Sequence, residues 1–193
     1  MTSTPYHAVI FDMDGTLTVP VLDFNAIRAE IGLDTRGDLS DDILRLAPVA
    51  QARAWAVVER HEQRAREQQT LQTGALELLT RCRSTGMRVG LATRNTRASV
   101  DHFMQRFNFR FDGITTREEP PLKPHPQAIL RLIDPWGIPP ESTLVVGDFR
   151  HDIESGYAAG TRTCFFQNPG VPFTGERADF VVDSMQALAE LIF

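Results

Sequence analysis

Six short apolar runs, each closed by a turn or polar residue, punctuate the chain, and segments of helical periodicity lie between most of them. Ala8-Val9-Ile10-Phe11 carries no polar side chain and ends at Asp12, which predicts a strand buried on both faces. Arg88 to Thr93, Phe111 to Ile114, Thr143 to Gly147, Thr163 to Phe166 and Phe180 to Val182 predict the other strands. Ala75 to Arg83 reads as an amphipathic helix closed by Gly86. Thr96 to Phe107 places Ala98, Val100, Phe103 and Phe107 at three-and-four spacing, with Asn95 as the expected N-cap. Pro126 suits the first turn of a helix through Ile129, Leu130 and Ile133 that stops near Pro135. Asp152 to Ala159 forms the last of these helices, with Gly160 as a left-handed cap. Strands alternating with helices predict an α/β fold, a Rossmann-like doubly wound parallel sheet.

Residues 18–74 break that rhythm. They contain no convincing strand and read as helical throughout. Phe24, Ile27 and Ile31 form one apolar stripe, and Ile43, Leu44 and Leu46 another, with a loop expected over Asp34 to Asp38. Val49 to Gln69 follows as a long segment rich in Ala, Arg, Glu and Gln, its apolar side expected at Trp55, Val57 and Val58. The expected organisation is a core of residues 1–17 and 75–193, with a small α-helical unit of residues 18–74 inserted in the first strand-to-helix crossover.

Composition narrows the function classes. At 193 residues, the chain accommodates one full core with a small insert. A net charge of −5 leaves no basic excess for nucleic acid, and no apolar run reaches the roughly 20 residues of a membrane span. The N-terminal Met1-Thr2-Ser3-Thr4-Pro5 shows no signal-like leader, and Cys82 and Cys164 have no ligand-like spacing. Reduced thiols in a cytoplasmic protein are the expectation, as a monomer or weak homodimer. One feature of the charge is unusual: of the 20 basic residues, nineteen are Arg and one is Lys, Lys123. Where Arg serves nearly every other position, a lone Lys in a loop suggests a site that needs a compact ammonium.

Asp12-Met13-Asp14-Gly15-Thr16 directly follows the first run. Two carboxylates two residues apart at the open end of a buried strand can enter one site, and Gly15 permits the sharp turn that lifts the chain off the sheet. Three more polar positions recur at or beyond later runs: Thr93, then Lys123 in Leu122-Lys123-Pro124-His125-Pro126, then Gly147-Asp148-Phe149-Arg150-His151-Asp152. Open parallel sheets bind ligands beyond the carboxyl ends of their strands, which is where all of these fall.

In this order and context, the four segments resemble the motifs of the haloacid dehalogenase superfamily, in its phosphatase branch with a small helical cap after the first strand, similar to phosphoglycolate phosphatases. The resemblance spans nearly the whole chain and implies a core of strand order 5-4-1-2-3. It also implies Mg2+-dependent hydrolysis of a small phosphorylated metabolite. Asp12 would be the nucleophile and Asp14 the acid and base. Thr93 and Lys123 would hold phosphate, and Asp12, Asp14 (through its carbonyl), Asp148 and Asp152 would hold the metal. Arg94 and Asn95 follow Thr93 as further substrate-binding candidates, although the family more often has Asn directly after the hydroxyl residue. His125, Arg150 and His151 occupy positions the family leaves variable, and solvated loop residues are expected there.

Two alternatives stay open. A phosphomutase would share every core residue, and a non-enzymatic phospho-Asp regulatory module would share the acidic cluster, the hydroxyl and the lysine. Asp14 argues against a dehalogenase, and the single lysine argues against a Schiff-base hydrolase. Arg28 and Arg45 are candidates for binding a substrate anion.

Overall fold

The computed structural model describes residues 6–34 and 39–193. Of the loop expected over Asp34 to Asp38, residues 35–38 lie outside the described residues, as does the leader Met1 to Pro5. The chain divides into two compact units, Met1–Pro20 with Thr70–Phe193, and Val21–Gln69.

The first unit contains a six-stranded parallel sheet of β1 (Ala8–Phe11), β2 (Arg88–Ala92), β3 (Gly113–Thr115), β4 (Thr143–Gly147), β5 (Arg162–Phe166) and β6 (Phe180–Val182), in the order β3-β2-β1-β4-β5-β6. The expected order holds, with β6 added beyond β5. Central strands β1 and β4 are buried at every position, as a sheet covered on both faces requires. Edge strands β3 and β6 have only three residues each and are half-buried, which limits the pairing surface they expose.

Alternation along the strands sorts the core into two layers. Val9 and Phe11 point to one face with Val89, Leu91, Leu144 and Val146. There they meet α4 (Ala75–Ser84), α5 (Arg97–Phe107) and α8 (Met185–Ile192) through Leu79, Phe103 and Leu188. Ile10 and Val145 point to the other face, against Ile129, Leu132 and Ile133 of α6 (Gln127–Ile133) and Ala159, which follows α7 (Arg150–Ala158). Cys82 and Cys164 are buried in the first layer as free thiols.

Some elements depart from the sequence expectation. β3 begins at Gly113 rather than Phe111 because Phe111 packs with Phe103 and Phe109. The Asp112 carboxylate accepts from Val89 N at 2.8 Å, so pairing with β2 starts from a side chain. The N-cap of α5 is Thr96, whose side chain accepts from Ser99 N, and not Asn95. α7 starts two residues earlier than expected, since Asp152 Oδ2 turns back to accept from Phe149 N at 3.1 Å.

The described residues of the second unit form three helices, α1 (Phe24–Ile31), α2 (Leu39–Leu44) and α3 (Pro48–Gln68), around Ile27, Ile43, Ala54 and Val58. Its apolar stripes are narrower than the sequence suggests. Phe24, at the first turn, and Leu44, at the last, remain 56% and 60% exposed. On α3 the buried line runs Ala54, Val58 and Glu62, with Trp55 and Val57 only flanking it. Arg28 and Arg45, considered for a substrate anion, both donate to the buried Asp42, at 2.8 and 3.2 Å. Among the described residues, no helix is long and apolar enough to cross a membrane.

Candidate active site

The parallel register aligns the strand ends. Phe11 pairs with Leu91 on one side and Val146 on the other, so Asp12, the β2 end and the β4 end meet at the carboxyl end of the sheet. Asp12 N donates to Val146 O at 2.9 Å, which carries the ladder one residue past β1 and anchors the Asp12 backbone. The chain then turns: Leu17 N and Thr18 N both donate to Met13 O. Gly15 has φ +82°, where a glycine is favoured, and a Cβ on it would run into the Asp148 carboxylate. The motif glycine therefore allows the turn and also makes room for a later motif.

Lys123 draws three motifs together. Its Nζ donates to Asp12 Oδ1 at 2.6 Å and to Asp152 Oδ1 at 2.5 Å, and the side chain is 4% exposed. Burial alone would lower its pKa, but the charges of Asp12 and Asp152 outweigh this and hold it above the usual lysine value. The lone lysine is thus a buried cation between two carboxylates. Asp152 is held at both oxygens, by Lys123 and by Phe149 N.

Asp148 lies beside this pair. One carboxylate oxygen from each of Asp12, Asp148 and Asp152 falls within 4.8 Å of the other two. Burial, reinforced by the charges of Asp12 and Asp152, pushes Asp148 up to about 8. Burial likewise raises Asp12, to about 6, with Lys123 opposing and Asp152 adding to the shift. One ammonium does not balance this cluster. An all-oxygen donor set without His or Cys suits a hard divalent cation such as Mg2+ or Ca2+.

Asp14 is set apart from the cluster by its own partners. Oδ1 accepts from the Thr18 hydroxyl at 3.2 Å and Oδ2 from the Asn95 amide at 2.5 Å. Burial raises its pKa; the Asn95 bond works against the rise and the Asp12 charge adds to it. The Asn95 side chain, expected as a helix cap, is used on Asp14 instead. Thr93, 5% exposed, accepts at its hydroxyl from Asn95 N at 3.1 Å.

Arg94 donates to His151 Nδ1 at 2.8 Å. Because β1 lies between β2 and β4 in the sheet, this contact spans the end of β1. His151 is only 7% exposed, so it is not the solvated loop residue expected from its motif position; His125 and Arg150 are exposed. Sequence reasoning also passed over Asn168, Gln72 and Thr18. They belong to no motif, and only the hydrogen bonds of the folded chain single them out.

The sequence model of the haloacid dehalogenase-like hydrolase family matches residues 23–166. This chain belongs to that family. The matched segment holds Thr93, Lys123, Asp148 and Asp152, while Asp12 and Asp14 precede it. A haloacid dehalogenase-like hydrolase domain-containing protein of Arabidopsis thaliana is 33% identical over 207 residues, covering 98% of this hydrolase and 84% of the plant protein. Pyrophosphatase PpaX of Bacillus mycoides is 27% identical over 140 residues, covering 69% of this chain and 63% of its own. Among solved structures, a predicted phosphoglycolate phosphatase from Haemophilus somnus superposes with a TM-score of 0.77 at 17% identity, over 97% of this chain and 98% of that one. That likeness is one of fold.

Proposed function

We propose that this hydrolase is a Mg2+-dependent phosphatase acting on a small phosphate monoester through a phosphoaspartate at Asp12. The observation that carries this reading is the contact of Lys123 with Asp12 at 2.6 Å beside a separately held Asp14. A carboxylate paired with an ammonium can be approached by a phosphate dianion, whereas an unpaired one would repel it.

In this mechanism an Asp12 oxygen attacks phosphorus, the P–O ester bond breaks, and Asp14 gives its proton to the leaving oxygen. The raised pKa of Asp14 supports that proton-carrying role. Asp14, now a carboxylate, takes a proton from water as the water oxygen attacks phosphorus. The bond from phosphorus to Asp12 breaks, inorganic phosphate leaves and both residues return to their starting states. Lys123 and the Thr93 hydroxyl hold the phosphoryl oxygens, with Arg94 and Asn95 beside them. A bound divalent cation would supply charge neutralisation of the phosphoryl oxygens. Asp12, Asp148 and the Asp14 carbonyl are the residues to hold it, with Asp152 as a direct ligand or the holder of a metal-bound water while it also orients Lys123.

The helical unit is inserted in the crossover after β1, and on that connectivity we assign it substrate selection as a cap. A small phosphorylated metabolite, a monomer or weak homodimer, and a cytoplasmic setting with its two thiols reduced complete the reading. The test is turnover of p-nitrophenyl phosphate with Mg2+, its loss with EDTA and its return on adding Mg2+. A screen of phosphoglycolate, sugar phosphates and pyrophosphate, the last suggested by the name of the Bacillus relative, then identifies the substrate. Absence of turnover on every phosphate tried, at full Mg2+ loading, would overturn the proposal.

A further inference from the structure

The Asn168 side chain, which follows β5 and belongs to none of the motifs, is 3% exposed and makes three hydrogen bonds at the edge of the acidic cluster. Its amide nitrogen donates to Gly15 O at 2.6 Å and to Asp148 Oδ2 at 3.2 Å. Its amide oxygen accepts from Gln72 Nε2 at 2.8 Å. The orientation of the amide is settled by chemistry, since the Gly15 backbone carbonyl at 2.6 Å can only accept and must face the Asn168 NH2. The other Asp148 oxygen is 3.5 Å from the Thr16 hydroxyl. The Asp148 carboxylate also fills the space that a Cβ on Gly15 would need, so Asn168, Gly15 and Thr16 box it in.

We propose that Asn168 is a positioning residue for the cation site. It ties the Gly15 carbonyl to Asp148, thereby fixing the first motif's turn against the last motif's metal ligand, with Gln72 locking its amide. The inference rests on the reading of Asp148 as a ligand given above. Carboxylate ligands are commonly oriented by such outer hydrogen bonds, whose loss typically costs about 10–100-fold in metal affinity. An Asn serves better than an Asp here, because a further anion facing Gly15 O and Asp148 would repel both.

The test is direct Mn2+ binding, followed by the paramagnetic resonance of the free ion, in wild type, Asn168→Leu and Gln72→Leu, with circular dichroism and thermal melts on each. Asn168→Leu keeps the volume and removes all three bonds, and the expected result is Mn2+ affinity at least about tenfold weaker. Gln72→Leu leaves Asn168 in place but free to turn, and a smaller loss of about two- to fivefold is expected on the same principle. In p-nitrophenyl phosphate turnover, the half-saturating Mg2+ concentration should rise while KM for the ester moves less than about twofold. Folded Asn168→Leu binding Mn2+ within twofold of wild type would overturn the proposal. Should Asn168→Leu fail to fold, Gln72→Leu with unchanged Mn2+ affinity would overturn it equally. Wild type that binds no Mn2+ would defeat the metal-dependent function itself, and is read in the first titration.

Discussion

The ammonium of Lys123 donates to Asp12 Oδ1 at 2.6 Å from a position 111 residues further along the chain, and at the same time to Asp152 Oδ1 at 2.5 Å. A side chain only 4% exposed has no room to exchange a compact ammonium for a planar guanidinium. Lys123→Arg is therefore expected to lower kcat/KM by at least about tenfold, equivalent to ~1.4 kcal/mol of transition-state stabilisation. Lys123→Ala should lose more, since it leaves Asp12 and Asp152 facing one another without a cation. Steady-state kinetics with parallel thermal melts check this; Lys123→Arg at wild-type activity and equal stability would remove the lysine from the mechanism.

Asp12→Asn removes the nucleophile while keeping the shape of the side chain. Turnover should fall below about 0.1% of wild type, since covalent catalysis has no substitute for the attacking oxygen. The protein should stay folded, because burial already strains the Asp12 charge and Lys123 keeps Asp152 as a partner. Retention of a few per cent of wild-type kcat, with contaminating phosphatase excluded, would show that the attack does not come from Asp12.

Asp148→Ala should raise the Mg2+ concentration needed for half-maximal activity by more than about tenfold, or abolish the response. Ca2+ should bind in competition with Mg2+ and inhibit, because its larger and looser coordination is poorly matched to in-line transfer. Calorimetric titration of both ions decides the point. Full activity with Ca2+, or unchanged metal dependence in Asp148→Ala, contradicts the ligand assignment.

Stability of the metal-free protein should fall as pH rises. Folding raises Asp12 to about 6 and Asp148 to about 8, both from 3.8. Above pH 4 the unfolded chain has lost these protons while the folded one still holds them, so the folded state binds more protons and rising pH favours unfolding. The loss should be spread between about pH 4 and pH 8, following the two shifts, and be complete above the upper one. Melting temperatures in EDTA across pH 5 to 8 should decline, Mg2+ should restore more at pH 8 than at pH 5, and Asp148→Asn should flatten the slope. A flat profile in the wild type, or an unchanged slope in Asp148→Asn, would show that Asp148 does not titrate this way.

Much of this was legible along the chain because it is local. Ala8 to Phe11 must be a doubly buried strand, for four consecutive apolar residues leave no face for water, and the turn at Asp12 to Thr16 is encoded by Gly15, whose φ of +82° is costly for other residues. The lone Lys123 was marked by composition alone. What only the tertiary structure decided is which polar side chains face one another. Asn95 sits 81 residues from Asp14, and Asn168 sits 153 residues from Gly15; neither has a local signature, because an isolated Asn in a sequence reads equally well as a cap, a turn or a surface residue. Phe24 and Leu44 stayed exposed for the same reason: periodicity shows which residues share a helix face, and only packing shows how much of that face is covered.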